Sequence, residues 1–361
     1  LSKQELQAIG GVTYLTSLTD GLPPRPSIKH YAEIVLDKGR LRATINACNR
    51  AISQAIEGEK SAVVLSDIQD ALLDIDATTQ RRSMAHISEI MMPTLQRMEK
   101  EAAHEGLVGL TTGISDLDEA TGGMQEEELW LIGALPNRGK TPLGMQMLSA
   151  NAETGTPSLM FSLEMSRLQW ARRLFAAQSA VSARQIRRPR YLGNEDWGSL
   201  SSTANRLSEW PVWVDDASKI TIGELLARAR LSIRRLGVKL IVVDYLMLVD
   251  APGKELRQQA TMIARSMKAL AKSEHVTVIL LSQFRRPANI NDRPNSSWYK
   301  ESGDIEAEAN VGLAIHRPIE NESFTGEDEI IITKQREGDI GSIPVTLDSR
   351  RIQFVPRAVQ S

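Results

Sequence analysis

The segment Ala134-Leu-Pro-Asn-Arg-Gly139-Lys140-Thr141 constrains this chain more than any other. It follows the apolar run Leu129-Trp-Leu-Ile132 and leads into a helix-compatible stretch. A strand, a tight loop ending in Gly-Lys-Thr and a helix form the phosphate-binding P-loop arrangement, in which main-chain N–H groups and the helix N-terminus surround phosphate oxygens. Ala134 opens the loop where glycine is usual, with Asn137, Arg138 and Gly139 inside it; Lys140 is placed to reach the terminal phosphates and the Thr141 hydroxyl to ligate Mg²⁺.

A chain of 361 residues is long enough for about two units. The net charge of −2 argues against a uniformly basic nucleic-acid binder, while leaving room for local cationic loops. The single cysteine, Cys48, excludes an internal disulfide framework; it falls on a helical stripe and is expected in the core, in a reducing compartment. No apolar run approaches a membrane span, and no signal peptide is legible. The chain starts at Leu1, which favours a fragment of a longer protein.

Up to about Glu105 the pattern is helical only. Leu41, Ile45, Cys48, Ile52 and Ala55 recur at helical spacing, Ser66 with Gln69 predicts a capping box opening a helix over Asp67–Ile75, and Met84, Ile87, Met91, Leu95 and Met98 form a third stripe interrupted near Pro93. From Gly106 onward, short β-branched runs alternate with helical stretches. Strands are predicted at Leu129–Ile132, Ser158–Phe161, Val212–Val214, Leu240–Val243, Val276–Leu281, Val311–Ile315 and Ile330–Ile332. Helices are predicted at Ser166–Ala177, Ile222–Leu236 and Gln258–Ser273, the last with Ile263, Met267 and Leu270 inward and Arg265, Lys268 and Lys272 outward. This alternation predicts an α/β domain with a mainly parallel sheet.

Four further groups carry chemistry. Ile241-Val-Val-Asp244 has the Walker B form, an apolar strand delivering a carboxylate that can hold Mg²⁺. Glu164, in Phe161-Ser-Leu-Glu-Met165, is either a base for the attacking water or a helix-entry carboxylate beside a Ser166/Gln169 capping box. Gln283, in Leu281-Ser-Gln283, ends a strand, where an amide can sense hydrolysis or simply satisfy a polar edge. Lys334 and Arg336, at i and i+2, point the same way and are either a solvated edge or cationic fingers reaching a neighbouring subunit's nucleotide.

Together with Thr112-Gly-Ile-Ser-Asp-Leu-Asp118 and Lys300-Glu-Ser-Gly-Asp-Ile-Glu306, these motifs resemble, in order, the DnaB-type replicative DNA helicases. The resemblance implies a RecA-like P-loop NTPase domain at 106–361, preceded by a helical hairpin at 1–79, which includes Gly10-Gly-Val-Thr-Tyr-Leu15, and a linker helix and linker at 80–105. It implies a homo-hexameric ring that hydrolyses ATP or another NTP between subunits, moves 5′ to 3′ on single-stranded DNA and unwinds duplex. Lys140, Thr141 and Asp244 would bind nucleotide and Mg²⁺, Glu164 would be the base, Gln283 the coupling residue, and Lys334 and Arg336 would act in trans. Lys300, Glu301 and Gly303 would touch the single strand. Primase and a helicase loader are implied as further partners, a membrane is not, and the location is cytoplasmic in a bacterial or phage-encoded setting.

The chain departs from the family pattern at Arg138, Met247, Ala260, Lys300 and Asn310, and it lacks the family's N-terminal globular domain, for which truncation is the favoured expectation. The competing expectations are a recombination- or clock-type RecA-like ATPase that does not unwind, and a scaffold with a degenerate motor. Intact Lys140, Thr141, Glu164 and Asp244 disfavour the scaffold.

Overall fold

The computed structural model describes residues 28–77, 85–103, 106–253, 255–284, 287–302 and 305–357. Gly10–Leu15, Met84 and Gly303 lie outside the described residues, as do the side chains of Lys300 and Glu301. The chain divides into two compact units, with the boundary between Thr94 and Leu95.

In the first unit, α1 (Ile28–Ile56) and α2 (Ser61–Ala77) pair with each other. The seam on α1 is an alanine stripe, Ala43, Ala47 and Ala51, with Ala47 fully buried. The larger apolar stripe expected to be core, Leu41, Ile45 and Ile52, is exposed, and so is Cys48. This corrects the sequence expectation: the small side chains allow the close helix approach, and the large ones occupy the opposite face. α2 also starts earlier than predicted. The run Ala62-Val-Val-Leu65 extends it back to Ser61, so Ser66 lies inside the helix rather than at its start. α3 (Ile87–Ala102), which carries Pro93 and crosses the boundary, has no buried residue.

The second unit is built on a nine-stranded sheet. Its strands are β1 (Leu129–Ala134), β2 (Ser158–Ser162), β3 (Val212–Asp215), β5 (Leu240–Asp244), β7 (Thr277–Gln283), β8 (Val311–His316), β11 (Asp328–Gln335), β12 (Gly341–Asp348) and β13 (Gln353–Pro356), while β4 (Ile220–Thr221) with β6 (Val249–Asp250) and β9 (Ile319–Glu320) with β10 (Ser323–Phe324) form separate two-stranded sheets. The order is β13-β12-β11-β8-β1-β7-β5-β2-β3. Six strands, β8 to β3, are parallel, and β11, β12 and β13 add antiparallel. The central strands are buried on both faces, as their unbroken apolar runs require. Every predicted strand is present. Predicted helices appear at Arg167–Gln178, Ile222–Leu236 and Leu256–Glu274. After β8 the chain forms a short hairpin, Ile319–Glu320 with Ser323–Phe324, closed by Asn321 and Glu322 at positive φ.

Register decides which side chains meet. Ser162 pairs with Asp244 and Ala134 with Gln283, so β1, β2, β5 and β7 deliver their last residues to one carboxyl edge. Antiparallel β11 runs the other way: Gln335 pairs with Val311, which pairs with Trp130 near the start of β1.

Candidate active site

At the carboxyl edge the chain turns out of β1 and enters the helix Lys140–Glu153. Asn137 and Gly139 take positive φ, 61° and 98°. A Cβ on Gly139 would lie 2.7 Å from Phe354 Cζ, so glycine is required there for both conformation and space. No side chain caps this helix, which leaves its first N–H groups for an anion.

Strand β5 brings Asp244, 0 % exposed, beneath the loop. Asp244 Oδ2 accepts from Thr141 Oγ1 at 2.7 Å, and Oδ1 lies 3.2 Å from Lys140 Nζ. Neither Lys140 Nζ nor Asp244 Oδ1 completes a hydrogen bond. A buried ammonium with free donors beside a carboxylate oxygen with a free lone pair suits a phosphate and a divalent cation, the hard-oxygen chemistry of Mg²⁺. Lys140 Nζ also sits 3.9 Å from the ring centroid of Tyr245, whose hydroxyl pKa is raised by burial and then by Glu164 and Asp244.

Glu164 projects from the turn after β2, 3.9 Å from Lys140 Nζ and half exposed. It precedes the N-cap Ser166, and the Ser166/Gln169 capping box forms as predicted. Gln283 ends β7 beside Ala134, and Phe284 N–H donates to Ala134 O at 2.9 Å. The Phe284 ring meets Tyr299 edge-on, 4.9 Å between centroids, and Trp298 at 5.6 Å. These rings fill the space above Gly133, where a Cβ would lie 2.3 Å from Phe284. Tyr299 is fully buried, its hydroxyl bonded to Leu313 O, and burial pushes its pKa up. Lys300 follows directly in the short 3-10 helix Ser296–Ser302.

Lys334 and Arg336 are not at this edge. Arg336 N–H bonds Asn310 O, and Asn310 N–H bonds Leu129 O, level with the start of β1. The P-loop begins five residues further on, roughly 16 Å along the sheet. Lys334 Nζ donates to Glu306 O and Ala307 O, and Arg336 Nη2 to Ala307 O. Burial lowers the Lys334 pKa, and Arg336 lowers it further. Arg336 also lines a cleft of about 310 Å³ with Glu128 and Glu337.

Sequence reasoning missed two features. Arg138, 5 % exposed, turns into the protein, where its guanidinium lies 5.2 Å from the centre of the Phe324 ring, which Arg317 also approaches, at 3.9 Å. Arg317 is bonded to buried Asp328, and burial followed by Arg317 lowers the Arg138 pKa. Lys268, expected to face solvent, donates instead to Glu127 O and Asn310 Oδ1, both at 2.7 Å. The signal available for Arg138 was its charge in a loop where an uncharged residue is usual; nothing in the helical pattern marked Lys268.

A parallel sheet with a P-loop after its first strand, a buried Walker B carboxylate two strands away and an antiparallel extension define a RecA-like ATPase domain. Residues 109–356 match the DnaB-like helicase C terminal domain family. The chain is 36 % identical to the replicative DNA helicase DnaB of Pasteurella multocida over 96 % of its own length and 78 % of that protein. Its identity to the DnaB of Geobacillus stearothermophilus is 32 %, over 98 % and 80 %. A solved ATPase domain, 26 % identical with a TM-score of 0.71, covers 76 % of the chain and is itself wholly covered. A solved DnaB-like replicative helicase shares the fold over 98 % of the chain and 85 % of its own, with a TM-score of 0.73 and 24 % identity. The chain therefore belongs to the DnaB-like replicative DNA helicases.

Proposed function

We propose that this chain is the motor of a ring-shaped replicative helicase that hydrolyses ATP between adjacent copies of itself and tracks along single-stranded DNA in the 5′ to 3′ direction. The observation that carries the reading is the division of the machinery between two sheet edges. The P-loop, Asp244 and Glu164 share one edge, while Lys334 and Arg336 stand at the other. A cation so placed cannot serve its own chain's phosphates and is positioned to serve a neighbour's.

Within one site, the free N–H groups of the helix starting at Lys140 and the Lys140 ammonium bind and orient the phosphates. Thr141 and Asp244 would hold Mg²⁺, which when bound would offset phosphate charge. Glu164, solvent-accessible beside the loop, accepts the proton of the attacking water. Gln283 registers the change at the phosphates. Phe284 follows it directly, and its ring bears on Tyr299, which precedes Lys300, so the loop of Lys300, Glu301 and Gly303 moves with the nucleotide state and grips the strand backbone. Lys334 and Arg336, bonded to the carbonyls just after that loop, tie the same segment to the next subunit's site.

No helix among the described residues is long and apolar enough to cross a membrane. We place the protein in the bacterial cytoplasm, as a hexamer with residues 80–105 as its linker. One solved relative is described with its interactions with primase; primase and a loader are proposed partners here. The test is ATP hydrolysis with and without single-stranded DNA, with Lys140→Ala as the blank. Strong stimulation is expected, followed by fork unwinding. Turnover indifferent to DNA would favour the non-unwinding RecA-like alternative.

A further inference from the structure

The connection between β2 and β3 contains a second cationic surface. Arg184, Arg187, Arg188 and Arg190 fall within seven residues, on the short helix Ala183–Ile186 and the 3-10 turn Pro189–Tyr191. The tertiary fold adds two more: Ala183 N–H donates to Arg350 O at 3.1 Å, bringing the β12–β13 turn with Arg350 and Arg351 alongside. All six arginines are exposed, and none forms an ion pair among the described residues. In a chain of net charge −2, this is a local excess.

Two aromatic faces lie in the same segment. Tyr191 is 64 % exposed and Trp197 50 % exposed. The Arg190 guanidinium lies over the Tyr191 ring at 4.6 Å and donates to its hydroxyl. The nearby carboxylates do not neutralise the patch. Asp196 accepts from Gly193 N–H and Gln185 Nε2, and Asp348 from Arg350 N–H, so Glu195, Asp196 and Asp348 supply three charges against six arginines.

We propose that this surface is a second binding site for single-stranded nucleic acid, separate from the Lys300 loop, which belongs to the β7–β8 connection. Cations spaced along a turn and followed by exposed rings fit a backbone with unstacked bases, and they read no sequence. An acidic protein segment would use the charges and leave the rings unexplained. The proposal rests on the helicase reading for its choice of ligand.

The test is binding of labelled oligo(dT) by the full chain across a salt series, in the wild-type and K300A backgrounds. The variants are R187Q/R188Q/R190Q and, independently, R350Q/R351Q; unchanged DNA-free ATP hydrolysis confirms that each is folded. The triple substitution should flatten the log–log salt slope by about 2 and weaken binding roughly tenfold at fixed salt, if each arginine meets one phosphate. The loss should multiply with that of K300A. Wild-type-like slopes in both variants overturn the second site and leave the helicase reading intact. Loss of binding to polyglutamate with oligo(dT) binding unchanged would also overturn it, in favour of an acidic protein partner. A wild type that binds no oligo(dT) would overturn both readings together.

Discussion

Lys334 and Arg336 converge on one atom: both donate to the main-chain carbonyl of Ala307, each at 3.0 Å. Ala307 lies in the short helix Ile305–Glu308, four residues beyond Gly303. The two cations therefore hold the segment that leaves the proposed DNA loop. In a ring, the same groups would report on that loop to the neighbouring nucleotide.

Arg336→Ala should lower the turnover number about 10³-fold while changing nucleotide affinity by less than about threefold, because the group acts from the next subunit. Turnover and equilibrium binding of a fluorescent nucleotide measure the two halves. Doping wild type with small amounts of the variant should inhibit more than proportionally. A collapse of affinity, or a linear dose response, would return Arg336 to a role within its own chain.

Gly139→Ala forces a Cβ onto a φ of 98° and to within 2.7 Å of Phe354. The strain should cost about 1–3 kcal/mol and displace the phosphate-binding amides. A lower thermal midpoint together with weaker nucleotide binding is expected. Adding Phe354→Ala should recover only the steric share, since the backbone strain remains. Full recovery would show that the crowding alone matters.

Asn310→Asp places a carboxylate against Lys268, whose pKa is now lowered by burial and then by Arg336. A lowered lysine pKa means the folded state disfavours the charged form at neutral pH, a penalty relieved as pH rises through the folded-state value. The substitution removes the penalty, so it should stabilise at pH 7 by less than about 1 kcal/mol, and the gain should shrink as pH approaches the lysine range. Urea midpoints at pH 7 and pH 10 test this; a gain independent of pH would exclude the Lys268 pair as its source.

Asp216 accepts from Arg167 through both its guanidinium and its main-chain N–H, and these bonds lower its pKa from 3.8 to about 2. A depressed carboxylate pKa contributes stability that is present above 3.8 and lost as pH falls through about 2. Asp216→Asn should therefore flatten the fall in thermal midpoint between pH 4 and pH 2. An unchanged acid limb would show that the pair adds nothing to the folded state.

The α/β class, the strands and the candidate nucleotide site were legible because each is written locally. β-branched runs are buried on both faces of a parallel sheet, and a P-loop needs its glycine, lysine and threonine in consecutive order. Asp244 was legible too, since Ile241-Val-Val-Asp244 carries its own strand, and so was the capping box at Ser166. The helical hairpin was less so. Periodicity identified one apolar stripe on α1, the one with Cys48, and only the close approach of α2 decided that Ala47 is buried and Cys48 exposed.

By itself the sequence determined the fold family and the loop that forms the candidate phosphate site, because both depend on residues adjacent in the chain. The tertiary structure alone decided that Arg336 stands an entire strand length from Lys140, that Phe284 bears on Tyr299, that Arg138 turns inward to Phe324 and that Arg350 lies beside Ala183. Those relationships follow from strand register and from which hairpin packs on which helix. Such choices are fixed by the burial of many distant side chains together, and no short stretch of sequence records them.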